Sequence, residues 1–116
     1  MQVKIDIAAP KMPKSGAVAV GVAEGGKLLP SAASLDQASG GTLTRAIKQG
    51  GRFSGKKGQM LELVAPGGLG LSRVVLIGMG KPKDLKDLDF ENAGGSLFAR
   101  LAGTGETGVT LMVDGE

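Results

Sequence analysis

Along residues 2–8 apolar and polar side chains alternate, with Val3, Ile5 and Ile7 on one face and Gln2, Lys4 and Asp6 on the other. A period of two predicts a half-buried strand at or near the edge of a sheet. Residues 17–22, AVAVGV, are apolar on both faces and lie between Ser15-Gly16 and Glu24-Gly25-Gly26, which predicts an interior strand covered on both sides. From Ser31 to Gln49 the spacing changes. Leu35 and Ala38, then Leu43, Ala46 and Ile47, with Gly40-Gly41 between them, predict two short helices, the second stopped by Gly50-Gly51. Residues 59–65 (QMLELVA) and 73–79 (RVVLIGM) read as two further strands around the turn material PGGLGLS. Between Asp89 and Ala102, Phe90, Ala93, Gly94, Leu97, Phe98, Leu101 and Ala102 recur at helical spacing, with Asp89 placed to cap the first turn. Residues 109–113, VTLMV, predict a last strand.

Strands alternating with helices predict one α/β domain over residues 1–116, a three-layer sandwich around a mixed, mostly parallel sheet. Such a sheet ordinarily carries a final crossover helix, so the chain is expected to be incomplete at its C-terminal end. Composition adds two points. The 21 glycines and 3% aromatic residues imply many tight turns and an aliphatic core. No apolar run approaches the ~18 residues that cross a bilayer, and the N-terminus lacks the pattern of a secretory signal. The expected location is therefore cytoplasmic, away from membranes. The absence of cysteine removes any disulfide framework and any thiolate zinc site.

Candidate chemistry is sparse. Gly50 and Gly55-Lys56 reproduce the start of a phosphate-binding P-loop, but a helix is predicted before the glycines and a strand after them, and Lys57 stands where a magnesium ligand belongs. A helix stop followed by a basic turn is the better reading. Ser54 and Lys57 match an S-x-x-K spacing without its companion motifs, and Phe98 replaces the glycine that a nucleophile elbow around Ser96 needs. With no histidine in the chain, Ser-His and Cys-His mechanisms are excluded. Asp84, Asp87, Asp89 and Glu91 lack the glycine and terminal glutamate of a calcium loop and suit a helix N-terminus. "GMGK", residues 78–81, follows a buried strand where α/β folds bind ligands, yet reads first as a plain turn. The net charge of +3 is mild; Arg45, Lys48, Arg52, Lys56 and Lys57 form a solvated basic stretch that could also touch phosphate backbones.

The order of motifs resembles the N-terminal domain of the cytosolic leucyl aminopeptidases, or cytosol aminopeptidases. A "D-x-A-x-G-G-x-L" segment is seen at Asp36, Ala38, Gly40, Gly41 and Leu43; an "F-x-G-K-x-G" turn at Phe53, Gly55, Lys56 and Gly58; a Pro-Gly turn at Pro66-Gly67; and "R-V-x-L-x-G-x-G-K" at Arg73, Val74, Leu76, Gly78, Gly80 and Lys81. A helix with Ala93-Gly94 in its middle follows. The resemblance implies a macro-domain-like fold and a parent metalloexopeptidase that releases N-terminal amino acids from peptides. It also implies two divalent metal ions, manganese or zinc, held with the peptide substrate by a C-terminal catalytic domain whose "N-T-D-A-E-G-R" motif occurs nowhere in this chain. No catalytic, cofactor-binding or metal-ligating residue is carried over. This domain is expected to help organise a homohexamer rather than perform chemistry. Two other readings stay open: a free-standing macro-like module for ADP-ribose or a related nucleotide, and nucleic-acid binding through the basic stretch.

Overall fold

The computed structural model describes residues 4–8, 16–50, 52–64, 70–81, 87–101, 104 and 108–112. Strand β1 (Lys4–Ala8) is followed by β2 (Ala17–Ala23), β3 (Lys27–Leu28), helices α1 (Pro30–Ala38) and α2 (Thr42–Gly50), strands β4 (Met60–Val64) and β5 (Arg73–Gly80), helix α3 (Asp87–Leu101) and β6 (Gly108–Met112). The sheet runs β1-β6-β2-β5-β4, with β3 pairing the end of β2. β1 with β6, β6 with β2 and β2 with β5 are parallel, while β4 with β5 and β3 with β2 are antiparallel. The sheet is therefore mixed, and β1 lies at its edge as the alternating pattern predicts.

The doubly apolar strands are central because both of their faces are covered. Val18, Val20 and Val22 of β2 join Val74 and Leu76 of β5 under Ala32 and Leu35 of α1 and Leu43 of α2. The opposite side chains, Ala17, Ala19, Val75, Ile77 and Met79, pack with Ala93, Leu97 and Leu101 of α3. Helices thus cover both faces in three layers. Burial of each of these valines and leucines contributes about 1.5–3 kcal/mol against the chain entropy.

Two local differences from the sequence reading have simple causes. Strand β3 is too short for any periodicity to reveal; it forms because the Glu24–Gly26 turn folds Lys27 and Leu28 back on Ala23 and Val22. Leu71, within the stretch read as turn, is buried in the α1/α2 side of the core. Phe53, from the F-x-G-K-x-G turn, is buried there too.

The D-x-A-x-G-G-x-L segment is the corner between α1 and α2. Gly40 and Gly41 have positive φ, and the Gly41 amide donates to the Asp36 carbonyl (2.7 Å). This reversal brings the Asp36 side chain to the start of α2, where Oδ1 accepts from the Thr44 amide (2.9 Å) and Oδ2 from the Thr44 hydroxyl (2.6 Å). Asp36 therefore caps a helix that it does not belong to, satisfying an amide left open in the first turn. Burial on its own raises the Asp36 pKa, but the Thr44 hydroxyl, the Thr44 and Leu43 amides and the Arg45 charge together outweigh it and hold the carboxyl below its ordinary value.

Candidate functional site

The C-terminal ends of parallel strands are where open α/β sheets bind ligands. Here that end, formed by β2 and β5, is covered by residues 52–59. The Gly80 amide donates to the Gly55 carbonyl (2.8 Å), the Gly78 amide to the Gln59 carbonyl (2.8 Å), and the Gly25 and Gly26 amides to the Ser54 carbonyl (2.8 and 3.0 Å). The Glu24 amide closes the set on the Gly80 carbonyl (2.8 Å). The loop lies so close that a Cβ at Gly78 would overlap the Lys56 carbonyl oxygen. A Cβ at Gly55 would likewise overlap the Ala23 carbonyl oxygen, and φ of +87° there disfavours any L side chain.

Residues 78–81 are thus not the plain turn that the sequence suggests. Residues 78–80 continue β5, and a register shift between Val22 and Ala23 lets Gly80, with positive φ, pair with Ala23. The amides of Gly78 and Gly80, which an anion would need, are spent on the loop.

The loop holds its shape through Gln59. Its Oε1 accepts from the Ser54 amide (2.9 Å), the Lys56 amide (3.1 Å) and the Ser54 hydroxyl (3.2 Å), while Nε2 donates to the Arg52 carbonyl (3.0 Å). Converging amides beside a lysine are what a phosphate site offers. In this protein the anion's place is taken by the chain's own amide oxygen, which accounts for the likeness to a P-loop. Ser54, the serine of the S-x-x-K spacing, is likewise bound to Gln59. Sequence reasoning missed Gln59, because a glutamine before a strand carries no periodic signal.

A cleft of about 280 Å³ lies beside the loop, lined by Lys57, Gln59, Met60, Met79, Asn92 and Ser96 among others. Ser96 faces this cleft from α3 and is exposed. Of the acidic group, Asp84 lies outside the described residues, as do the side chains of Asp87, Asp89 and Glu91. Two of the described acids, Asp36 and Glu62, are engaged elsewhere, while Glu24 is exposed in the turn after β2. Asp36 caps α2, and Glu62 of β4 pairs with Arg73 of β5 and, at 3.7 Å, with Arg100 of α3. The chain has neither histidine nor cysteine, and among the described residues no three potential ligands come together. Arg45, Lys48, Arg52, Lys56 and Lys57 are exposed, but Arg45 spends its guanidinium on the Gly40 carbonyl (2.8 Å) at the helix corner. Among the described residues no helix is long and apolar enough to cross a membrane.

These features define a three-layer α/β domain whose strand ends are sealed by its own glycine-rich loop. Comparison with known proteins carries the assignment further. The profile described as the cytosol aminopeptidase family, N-terminal domain, matches residues 19–116, and the chain belongs to that family. It is 36% identical over 113 residues to a probable cytosol aminopeptidase of Azotobacter vinelandii (strain DJ / ATCC BAA-1303), covering 97% of this chain and 23% of the relative. A probable cytosol aminopeptidase of Caulobacter vibrioides (strain ATCC 19089 / CIP 103742 / CB 15) is 40% identical over 99 residues, 85% of this chain and 20% of the relative. One of Rhodopseudomonas palustris (strain BisA53) is 44% identical over 77 residues, 64% of this chain and 15% of the relative. The chain thus spans less than a quarter of the length of these curated relatives.

Proposed function

We propose that residues 1–116 act as a non-catalytic, macro-domain-like N-terminal unit of a cytoplasmic metallo-aminopeptidase. In this reading a C-terminal catalytic domain holds the peptide and two divalent metals, manganese or zinc, and the N-terminal unit helps organise the homohexamer. The observation that carries it is the sealed strand end: the amides of Gly25, Gly26, Gly78 and Gly80 are bonded to the 52–59 loop, and Gln59 fills the loop's own amide cradle. A domain with its ligand-binding position occupied by its own backbone, and with the Asp36 and Glu62 carboxylates committed to Thr44 and to arginines, is suited to a structural role.

The test is direct. The purified chain, with and without added manganese, should not hydrolyse a leucyl chromogenic substrate; turnover by a clean sample refutes the proposal. The same sealing argues against the ADP-ribose reading, and calorimetric titration with ADP-ribose should give no binding heat. Binding at micromolar affinity would reverse that preference.

A further inference from the structure

The outermost strand on one side of the sheet, β4, has the geometry of a contact between two copies of this chain. Its register with β5 pairs Met60 with Ile77 and Val64 with Arg73, and the Gly78 amide donates to the Gln59 carbonyl directly opposite. Bonded and non-bonded pairs alternate in an antiparallel ladder, so Leu61 and Leu63 bond to β5. The N–H and C=O groups of Met60, Glu62 and Val64 consequently point away from the sheet. Leu61 and Leu63 pack on the α1/α2 side, while Met60 packs with the α3 side. Val64 stands 64% exposed, a large apolar side chain at an edge that no described strand covers. Such an edge is a template for another strand.

We propose that β4 pairs antiparallel with β4 of a second copy about a two-fold axis through Glu62. The edge is self-complementary in that register and in no register shifted by one residue. Glu62 faces Glu62, and Met60 faces Val64, so all the outward groups of these residues meet partners. The exposed Val64 is then covered by Met60 of the second copy, and Leu61 lies across from Leu63 on the other face. Two carboxylates opposite one another would oppose pairing by themselves. Here each Glu62 brings Arg73, and Arg100, 43% exposed and 3.7 Å from Glu62 on the same face, can serve both carboxylates across the axis. Charge complementarity therefore favours a second copy over an unrelated apolar strand. The biological sense of this contact rests on the reading of the chain as an oligomer-organising domain, but its geometry does not.

Sedimentation of the full chain up to near-millimolar concentration should show a reversible dimer. Val64→Lys and Val64→Pro should abolish it with the far-UV circular dichroism unchanged, since the Val64 amide is not used by β5. Because the chain has no cysteine, a Met60→Cys/Val64→Cys double variant reports the register. It should crosslink between copies on mild oxidation, while each single variant should not, its two sulfurs belonging to residues about 14 Å apart along the paired strands. A chain that stays monomeric, a dimer that survives both Val64 variants, or a double variant that fails to crosslink overturns the proposal. Monomer formation leaves the aminopeptidase-domain reading standing, and peptidase turnover by the chain would overturn that reading while leaving the edge contact intact.

Discussion

Substituting Gly78 by alanine isolates the seal over the strand ends as a single steric quantity. Gly78 lies in β5 without positive φ, so the substitution carries no left-handed backbone penalty. The added Cβ would overlap the Lys56 carbonyl oxygen and lie 2.9 Å from the carbonyl carbons of Gly55 and Lys56. Carbon atoms pack best at about 3.5–4.0 Å, so the loop backbone has to move away by more than half an ångström. That movement disturbs the Gly78-to-Gln59 and Gly80-to-Gly55 bonds, each of 2.8 Å. Two hydrogen bonds at about 1 kcal/mol each, with an overpacking cost of about 1–3 kcal/mol, give a loss of about 3–5 kcal/mol. In a domain of ordinary stability, about 5–15 kcal/mol, this is a large fraction. Gly21→Ala provides the matched control, because its Cβ would meet side-chain atoms, Leu29 Cδ1 at 2.8 Å and Met79 Cγ at 3.0 Å, which can rotate away. Urea denaturation followed by circular dichroism should place Gly78→Ala well below Gly21→Ala. A Gly78→Ala chain within about 0.5 kcal/mol of the parent, the range of inert surface changes, would refute the argument that the loop is pressed on the strand.

Three other outcomes follow from the same contacts. Gln59→Ala should cost about 1–3 kcal/mol and raise amide hydrogen exchange at Ser54 and Lys56, while Gln59→Glu should cost less because an acceptor remains for both amides; equal exchange in all three chains would count against the loop's dependence on Gln59. Asp36→Ala should cost about 0.5–2 kcal/mol at neutral pH, the range for replacing a helix-capping side chain by alanine. Since the folded-state pKa of Asp36 is lowered, its contribution is present above the unfolded value of about 3.9 and is lost as pH falls through the folded value. The gap in urea midpoint between parent and variant should therefore shrink from pH 7 toward pH 3, and a gap that widens on acidification would contradict the assignment. Gly95→Ala, in the interior of α3 with nothing within 4 Å of the new methyl, should raise stability by about 0.5–1 kcal/mol, as read by the same denaturation.

The sheet and helices were legible because their signals are local and repetitive. AVAVGV and RVVLIGM announce strands covered on both faces, and each lies between two neighbours in the sheet. The motif at Asp36, Gly40 and Gly41 was also legible as a pattern, but its physics was not. The carboxylate acts on Thr44, eight positions away, only after the corner has formed. Glu62 shows the same limit. Its alternation with Leu61 and Leu63 marks it as belonging to another face, yet only the folded sheet brings Arg73 and Arg100 to it. Leu71 was hidden by its glycine neighbours, although it is as buried as the strand residues.

The glycine-rich stretch from Gly50 to Gly58 raises a more general point about reading function from such loops. A phosphate site and a tight backbone seam demand the same thing of a sequence: positions without Cβ, where main chain can approach closely and present its amides. Glycine spacing therefore cannot tell them apart, and the deciding feature is what satisfies the amides. In this protein the amides of Gly78 and Gly80 find carbonyls of the loop, and those of Ser54 and Lys56 find the Gln59 oxygen. An anion would have to displace these partners and move the loop off Gly78, at the cost worked out above for a single methyl. Lys56 and Lys57, exposed beside the seal, could attract such an anion without holding it in a formed cradle. The backbone chemistry that the glycines permit is thus used to fasten one segment of the fold to another.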